Sequence, residues 1–446
     1  MATIPPSDRS SLPSRRAALW QIGGGFASIA LAQLLAREGL LAADPGAAPA
    51  GDLNGGLHHP AKIRRIVQLF MNGGASPMDT FDHKPRLAQL DGKAFDPGTG
   101  EKLESVTNSP GFKVLRSPFK FQRHGQSGRW VSEVFPHVAG IVDDLAFLMS
   151  MVSKSNVHGP ASYMQNTGFV LPGFPCLGAW VSYALGNLTD NLPSFVVLPD
   201  ARGLPYNNQG NFSSAFLPVK HQGTIIRPHL PNPIADLFPP KSAAYITPQS
   251  ERASLALLDQ LNRRHQAESQ GDSRLEARIA SYELAAKMQL SAPEVLDVGK
   301  ETAATQRMYG LTEKETEPFG RKCLIARRML ERGVRFVQVW SGASGPTNNW
   351  DNHGNISTEL PPMALSTDKP AAALVMDLKQ RGLLKDTLVI WTTEFGRMPF
   401  SQGAAGRDHN AGTFVTWLAG AGIQGGVAHG QSDEWGWRAI APIWCY

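Results

Sequence analysis

The sequence of 446 residues predicts an α/β fold in which a mainly parallel sheet carries helices on both faces. Two observations support this class. Short apolar runs with almost no polar interruption recur along the chain, and such runs are typical of strands that are buried on both faces. Amphipathic helical patterns separate these runs, which is the alternation expected of βαβ units.

The order of elements follows from these two patterns. The predicted strands are 64–71, 144–149, 193–198, 333–340, 388–391 and 414–418. The predicted helices include 177–185, 321–331 and 371–381. Because each crossover helix returns the chain to the same end of the sheet, successive strands are expected to run parallel.

A helical insertion is predicted at about 250–301. Leu, Ala, Arg, Gln and Glu dominate there, and Leu255, Leu258 and Leu261 recur at helical spacing. Two helices are expected to cap the sheet or to pack against its side. We interpret the leucine stripe as core packing, since an apolar stripe on a helix usually faces a core.

Residues 1–43 are predicted to be a twin-arginine export signal. Arg15 and Arg16 precede a weakly apolar run at 17–36, and two alanines stand before Asp44. Glycine and glutamine dilute that run, so it would make a poor membrane span. The protein is therefore expected in the periplasm or outside the cell, with no stable membrane span once the signal is removed.

A linker rich in Ala, Gly and Pro is predicted at 44–60, and one α/β domain at 61–446. The formal net charge of +5 is only mildly basic and the body has no basic block, so a nucleic-acid partner is not expected. Three widely spaced cysteines (Cys176, Cys323 and Cys445) argue against a disulfide framework or a thiolate metal site, although one pair could form.

Acidic and histidine side chains follow the later predicted strands. In open α/β sheets, ligands bind beyond the carboxyl ends of the strands, so these side chains are expected to converge. Carboxylate and imidazole groups together suit borderline divalent cations. The sequence therefore predicts a divalent metal, either Zn, Mn or Ca. The predicted ligands are Asp351, His353, Glu394, Asp408 and His409.

The loop after the first strand offers further polar groups. Two glycines there let the backbone turn sharply or approach a ligand closely. Asp79 is either an additional metal ligand or the N-cap of a helix, and both interpretations stay open. Asn72 and Ser76, together with Arg397, are the candidate substrate-binding residues.

His158 stands at the start of a predicted helix that follows a strand. Helix N-termini favour anions, so a histidine at this position would lie where an anionic substrate binds. His158 is therefore the candidate catalytic residue.

These blocks resemble the alkaline phosphatase and sulfatase superfamily, and most of all its exported branch known as domain of unknown function 1501. The resemblance covers about Ile63 to Ile440. The segment 386–396 is similar to the sulfatase strand that ends in Thr-Ser-Asp. The segment 158–168 is similar to the sulfatase nucleophile helix, with Pro160 and Thr167 at the family spacing. The resemblance implies an alkaline phosphatase-like fold and metal-dependent hydrolysis of phosphate or sulfate esters, of small molecules or glycans.

The chain departs from the sulfatase pattern at four positions. The nucleophile position holds His158, the expected arginine is Ser162, Glu394 replaces an Asp, and Asn72 replaces a metal-binding Asp. Water is therefore the expected nucleophile, with direct attack by His158 as a variant. Relatives also continue past 425–430 through a further helix, so we expect either that the C-terminus is truncated or that the tail at 441–446 substitutes for this helix.

Two functions stay open at this point. The first is a metal-dependent ester hydrolase. The second is a non-catalytic protein that keeps the hydrolase fold and binds an anionic glycan or a protein partner. The missing nucleophile favours the second, while the acidic and histidine blocks favour the first. The sequence makes no prediction of the oligomeric state.

Overall fold

The structure is a computed structural model that describes residues 62–100, 112–235, 237, 245, 247–268, 279, 287–289, 291–345, 347–403 and 405–444. The strands are β1 (Arg65–Met71), β2 (Phe121–His124), β3 (Arg129–Ser132), β4 (Ala146–Val152), β5 (Phe195–Leu198), β6 (Thr224–Ile225), β7 (Phe336–Ser341), β8 (Thr387–Thr392), β9 (Gly396–Gln402), β10 (Gly406–Asn410), β11 (Phe414–Gly420), β12 (Val427–His429) and β13 (Ile443–Trp444). The α-helices named below are α1 (Pro77–Thr80), α2 (Pro85–Gln89), α3 (Pro136–Ala139), α4 (His158–Thr167), α5 (Leu177–Leu185), α6 (Pro248–Glu268), α7 (Ala303–Met308), α8 (Glu317–Glu331) and α9 (Ile356–Gln380).

A nine-stranded sheet forms the centre of the molecule. Its strand order is β12-β4-β11-β8-β1-β7-β5-β6, and β13 also pairs with β4. β11 runs antiparallel to both of its neighbours, β4 and β8, whereas the other pairs of this sheet are parallel. The prediction of a mainly parallel sheet is confirmed. Two small antiparallel hairpins, β2–β3 and β9–β10, lie outside it.

Helices cover both faces of the sheet. Successive side chains of β1 point to opposite faces, so this strand contributes to the core on each side. Val67, Leu69 and Met71 pack into the large core cluster that also contains the buried residues of α8 and α9. Phe70 points the other way, into a cluster with Trp180 of α5. This arrangement confirms the predicted layers and explains why the strand is apolar on both sides.

The second face also carries a buried polar contact that joins α4 to the sheet. The amide Nε2 of Gln338 on β7 donates to Gln68 Oε1 on β1 at 2.9 Å and to Asn166 Oδ1 on α4 at 2.7 Å. These side chains satisfy one another away from water, which stabilises an otherwise costly burial. The contact positions α4 so that His158, its first residue, lies where the parallel strands end.

Helix boundaries match the predictions where the sequence has a plain amphipathic pattern. The helix α5 spans the predicted 177–185, while α9 begins 15 residues before the predicted 371. Three prolines within α9 hide its early turns from a pattern-based prediction, because proline usually ends a helix.

The predicted insertion is only partly described. α6 lies in it, but Leu257 and Leu261 are 57% and 54% exposed, and Leu255 and Leu258 are also exposed. The expectation that the stripe of Leu255, Leu258 and Leu261 packs into the core is therefore wrong for these three side chains. The predicted signal, linker and most of the second inserted helix lie outside the described residues, as does Cys445. In the described part of the chain, no helix has the length and apolar character needed to cross a bilayer.

Candidate metal centre

The loops after β4, β1, β7 and β8 meet at the carboxyl edge of the parallel sheet. Gly73, directly after β1, has φ +122°, and a Cβ on it would lie 2.6 Å from the backbone nitrogen of Asp351. Only glycine permits this close approach. The loop that follows β1 therefore packs directly against the loop that carries Asp351.

Four side chains converge at this edge. His158, Asp351, His353 and His409 each offer one ligand atom, and these atoms all lie within 4.8 Å of one another. Asp351 Oδ1 is 2.7 Å from Nε2 of His353 and 3.0 Å from Nε2 of His409. Asp351 Oδ2 is 3.2 Å from Nε2 of His158. They come from three segments far apart in sequence: the start of α4 (His158), the loop after β7 (Asp351 and His353) and β10 (His409).

Each imidazole is held by its outer nitrogen. His158 Nδ1 lies 2.7 Å from Glu394 Oε1, and His409 Nδ1 lies 2.7 Å from the carbonyl oxygen of Asn156. His353 Nδ1 contacts Gln402 Oε1. Histidines that bind a metal typically donate the other ring nitrogen to a carboxylate or a carbonyl in this way, which fixes the tautomer and the ring orientation.

The inner ring nitrogens of His409 and His353 lie close to each other. Burial lowers the pKa of His409 to about 4, so its ring is neutral near pH 7. Because His409 Nδ1 donates to a carbonyl, its Nε2 presents a lone pair, 2.8 Å from Nε2 of His353. A cation between them would relieve this contact.

Charge in the centre is carried by Asp351 and its neighbours. Burial would raise the pKa of the Asp351 carboxyl, but contacts with the three imidazoles and the charge of Arg397 hold that pKa well below its usual range. Burial would likewise lower the pKa of His158, but Asp351 and Glu394 raise it above its ordinary value. Asp351 is therefore an ionised carboxylate, as a metal ligand must be.

Glu394, predicted as a ligand, lies outside the group of four. Its side chain is fully buried at the end of β8 and accepts hydrogen bonds from the backbone N–H of Gly73 at 2.8 Å and from Thr393 Oγ1 at 3.1 Å. Its remaining contact is with His158 Nδ1. The geometry gives Glu394 the role of orienting His158 rather than of coordinating an ion.

Arg397, predicted to bind substrate, is fully buried and contacts the protein through all three of its nitrogens. It donates to Asp351 Oδ1 at 2.6 Å, to the carbonyls of Gly74 at 2.8 Å and Arg407 at 3.0 Å, and to the carbonyl of Gly73. These acceptors occupy its donors, so the guanidinium ties the loops of the centre together and holds Asp351 in place.

Asp79, the other open case, is neither a helix cap nor a member of the group. It forms a fully buried ion pair with Arg407, with Arg407 Nε 2.6 Å from Asp79 Oδ2, and it accepts from Ser76 Oγ at 2.5 Å. Ser76 is buried and used in this contact, so the structure does not place it where a substrate would bind.

Asn72 and Asp408 also lie apart from the four ligand atoms. Asn72 Nδ2 donates to the carbonyls of Gly342 and Ala343, and the side chain is completely buried. Asp408 Oδ1 accepts the backbone N–H of His409 at 2.8 Å. Both residues shape the loops around the centre without belonging to its ligand group.

Sequence reasoning missed three contributors to the centre. Asn156 acts through a backbone carbonyl, which leaves no trace in the sequence. Gln402 lies on β9, whose mixed polar sequence does not read as a strand. Arg407 stands in the block with Asp408 and His409, and an arginine in a segment that is buried throughout is a signal for a buried carboxylate partner.

Comparison of the sequence with known families gives one match. Residues 63–442 match the family described as "Protein of unknown function (DUF1501)". The chain belongs to the DUF1501 family. The sequence-based assignment is confirmed, and the match covers every strand of the large sheet except β13 and all four residues of the metal group. A search of curated proteins finds no match to this sequence.

Solved structures with similarity to this DUF1501 chain include a synthase, a sulfatase and a phosphatase. The lipoteichoic acid synthase LtaP from Listeria monocytogenes is 9% identical, with 86% of this chain and 71% of that chain covered and a TM-score of 0.33. The sulfatase PsFucS1 from Pseudoalteromonas sp. is 11% identical, with coverages of 95% and 70% and a TM-score of 0.31. The alkaline phosphatase of the Antarctic bacterium TAB5 is 8% identical, with coverages of 82% and 95% and a TM-score of 0.33. At these values the likenesses carry no argument about activity.

The donor set of this DUF1501 chain fits a divalent cation. Three imidazole nitrogens and one carboxylate oxygen converge. The other ring nitrogen of each histidine is already bound to an oxygen atom of the protein. Nitrogen-rich sets of this kind suit Zn and Mn, whereas Ca prefers six to eight oxygen ligands. Calcium, one of the three metals expected from the sequence, therefore fits this set least well.

Proposed function

We propose that this protein is an exported metal-dependent hydrolase of phosphate or sulfate esters. One observation supports it most: three histidines, each fixed through its outer nitrogen, converge with Asp351 at the carboxyl edge of a parallel sheet. This edge is where α/β proteins bind ligands. His158, Asp351, His353 and His409 would hold the ion, which would supply Lewis-acid chemistry to a bound ester.

The chain's own residues prepare the centre for an anion. A divalent cation held there would polarise an ester oxygen and lower the pKa of a water molecule to about 7. Glu394 orients His158, and Arg397 holds Asp351 while balancing its charge. Because Arg397 and a divalent cation would together outweigh Asp351 and Glu394, the centre would be positive. A positive centre favours anionic phosphate or sulfate esters over neutral ones.

The nucleophile in this proposal is water. His158, the candidate catalytic residue, has Nδ1 engaged by Glu394 and Nε2 turned toward Asp351. Direct attack by His158 would require the imidazole to leave the group that it helps to form. We therefore assign His158 to metal binding rather than to covalent catalysis.

Metal analysis and ester assays on the chain from residue 44 onward test the proposal. We expect stoichiometric Zn or Mn by mass spectrometry, together with hydrolysis of 4-nitrophenyl phosphate or 4-nitrophenyl sulfate. Activity should disappear with EDTA and return when the metal is restored, since the cation supplies several kcal/mol of transition-state stabilisation. A folded chain that takes up no metal would refute the proposal.

One observation favours the second candidate, a non-catalytic protein that binds an anionic glycan or a protein partner. His158 stands at the position of the expected nucleophile, and its imidazole is consumed by other contacts. Stoichiometric metal together with saturable binding of a sulfated glycan, and no turnover of either nitrophenyl ester, would favour this candidate over the hydrolase.

Export through the twin-arginine pathway is a separate part of the proposal, supported by Arg15, Arg16 and the weakly apolar run after them. We expect replacement of both arginines by lysine to retain the full chain in the cytoplasm, because the pathway reads that pair. Cell fractionation with immunoblotting measures this, with Arg9→Lys as the control. Unchanged export of the double variant would contradict this route.

A further inference from the structure

A cavity of about 490 Å³ lies beside the candidate metal centre and shares Asp351 with it. Its volume is in the range of small-molecule sites. Its buried lining combines the apolar Phe319 and Met363 with five polar residues, and no step proposed above uses the cavity. The buried polar residues are Asp200, Lys322, Ser341, Asn349 and Asn352.

Lys322 is the unusual member of this lining. The residue is 3% exposed, and lysine is almost never buried to this extent. Its Nζ donates to the carbonyl oxygen of Trp340 at 2.5 Å, at the end of β7. An ammonium has three N–H donors, and this is the one hydrogen bond that Lys322 Nζ makes to a described residue. Its other two donors make no hydrogen bond to a described residue, and Nζ also lies 5.1 Å from the centre of the Phe319 ring.

Asp200 does not neutralise Lys322 alone. Its carboxylate binds the Arg202 guanidinium at 2.7 and 2.8 Å and accepts the backbone N–H of Gly342 at 2.8 Å. Burial would raise the pKa of Asp200, but Arg202 and Lys322 hold it below its usual range, so the carboxylate is ionised. One carboxylate thus lies beside two basic side chains. Burial lowers the pKa of Lys322, and the charge of Asp200 opposes that shift.

Two glutamates also line the cavity. Glu315 is exposed at the rim, and Glu359 is half-buried and accepts the backbone N–H of Gly354. Water screens charges at a rim more strongly than charges in a buried lining. Lys322, the buried basic residue of the lining, is therefore screened less than these two glutamates.

We propose that the inner cavity binds a second oxyanion of the substrate, held by Lys322 with support from Arg202, while the reacting ester lies at Asp351. The inference rests on the proposed hydrolase function, and it narrows the substrate class to esters that carry a second anionic group. A sulfate, phosphate or carboxylate group would each accept the two remaining donors of Lys322.

A purely structural role for Lys322 is the competing explanation, since the ammonium also ties α8 to β7. Anion binding without metal separates the two roles. We would titrate sodium sulfate, and separately sodium acetate, into the full chain by isothermal calorimetry in EDTA at constant ionic strength. Sulfate binding alone would identify a tetrahedral oxyanion, and acetate binding would extend the class to carboxylates.

Lys322→Met should weaken anion binding by about 10- to 100-fold, as expected when a charge-assisted hydrogen bond is lost. The side chain of Arg202 is 40% exposed, and Arg202→Met keeps the buried lysine. This variant should weaken anion binding less than Lys322→Met does, because Asp200 then neutralises Lys322. The exposed Lys379→Met is the matched control and should bind as the wild type does. Circular dichroism checks that each variant is folded.

The proposal is overturned if the wild type binds neither anion, or if folded Lys322→Met and Arg202→Met both bind as tightly as the wild type does. Should Lys322→Met fail to fold, the Arg202→Met titration alone decides. Because these titrations contain EDTA, their outcome is independent of the metal analysis. Anion binding by a chain that never takes up metal would preserve this site while refuting the hydrolase.

Discussion

Replacement of Asp351 by asparagine is expected to empty the metal centre and to lower ester hydrolysis by about 10³-fold. Asp351 is the one carboxylate of the group, and its two oxygens contact all three imidazoles. Asparagine keeps the shape but removes the charge that attracts a cation. Loss of several kcal/mol of metal-derived stabilisation corresponds to a rate loss of this size. Metal content per chain and kcat/KM for the two nitrophenyl esters measure the effect.

Two further variants make this result interpretable. His353→Gln removes a ligand whose side chain is 26% exposed and leaves the contact between Asp351 and Arg397 intact, so metal loss there cannot be ascribed to an unpaired buried arginine. Asp408→Asn, outside the group, should retain its metal. If Asp351→Asn and His353→Gln both keep stoichiometric metal, the centre is not where the geometry places it.

Much of this centre could be anticipated from strand ends. Asp351, His353 and His409 were expected near one sheet edge because each follows an apolar run, and parallel strands end at a common edge. The structure brings these three together with His158. The position of a residue after a strand does not give its distance from other side chains. It therefore did not distinguish the residues of the ligand group from residues that only lie near the group.

The hairpin that carries His409 was not anticipated. β10 reads Gly-Arg-Asp-His-Asn, with no apolar residue and no alternation, yet every position in it is buried. Burial of such a segment is possible because its charges and amides find partners inside the protein, such as Asp79 for Arg407. A hydrophobic pattern predicts strands that bury apolar side chains. It does not predict strands whose buried side chains form ion pairs.

Acidic residues near the centre have three different roles that residue type alone does not distinguish. Asp351 lies in the ligand group, Glu394 orients a histidine, and Asp79 pairs with an arginine. The sequence indicates the burial of Lys322 more clearly. This lysine lies three residues after Phe319 and three before Ile325, on a helix whose inner face is apolar. A lysine on such a face is either paired or functional.

Asp79→Asn is expected to lower the free energy of unfolding by about 3–5 kcal/mol, because removal of one partner of a buried ion pair leaves the other charge uncompensated. Both side chains of the pair with Arg407 are 0% exposed. Urea unfolding in EDTA measures the loss free of any metal contribution. If Asp79 were instead a metal ligand, the metal-free variant would be close to wild type in stability and only its metal content would fall.

Replacement of both partners separates the buried pair from a general weakness of this region. In Asp79→Leu with Arg407→Met, no charge is left unpaired, and apolar side chains of similar volume often match a buried ion pair in stability. The double variant should therefore be more stable than Asp79→Asn. Asp144→Asn, which breaks a partly exposed pair with Lys379, should cost at most about 1 kcal/mol. A double variant no more stable than Asp79→Asn would mean that shape, rather than charge compensation, makes this hairpin depend on Asp79.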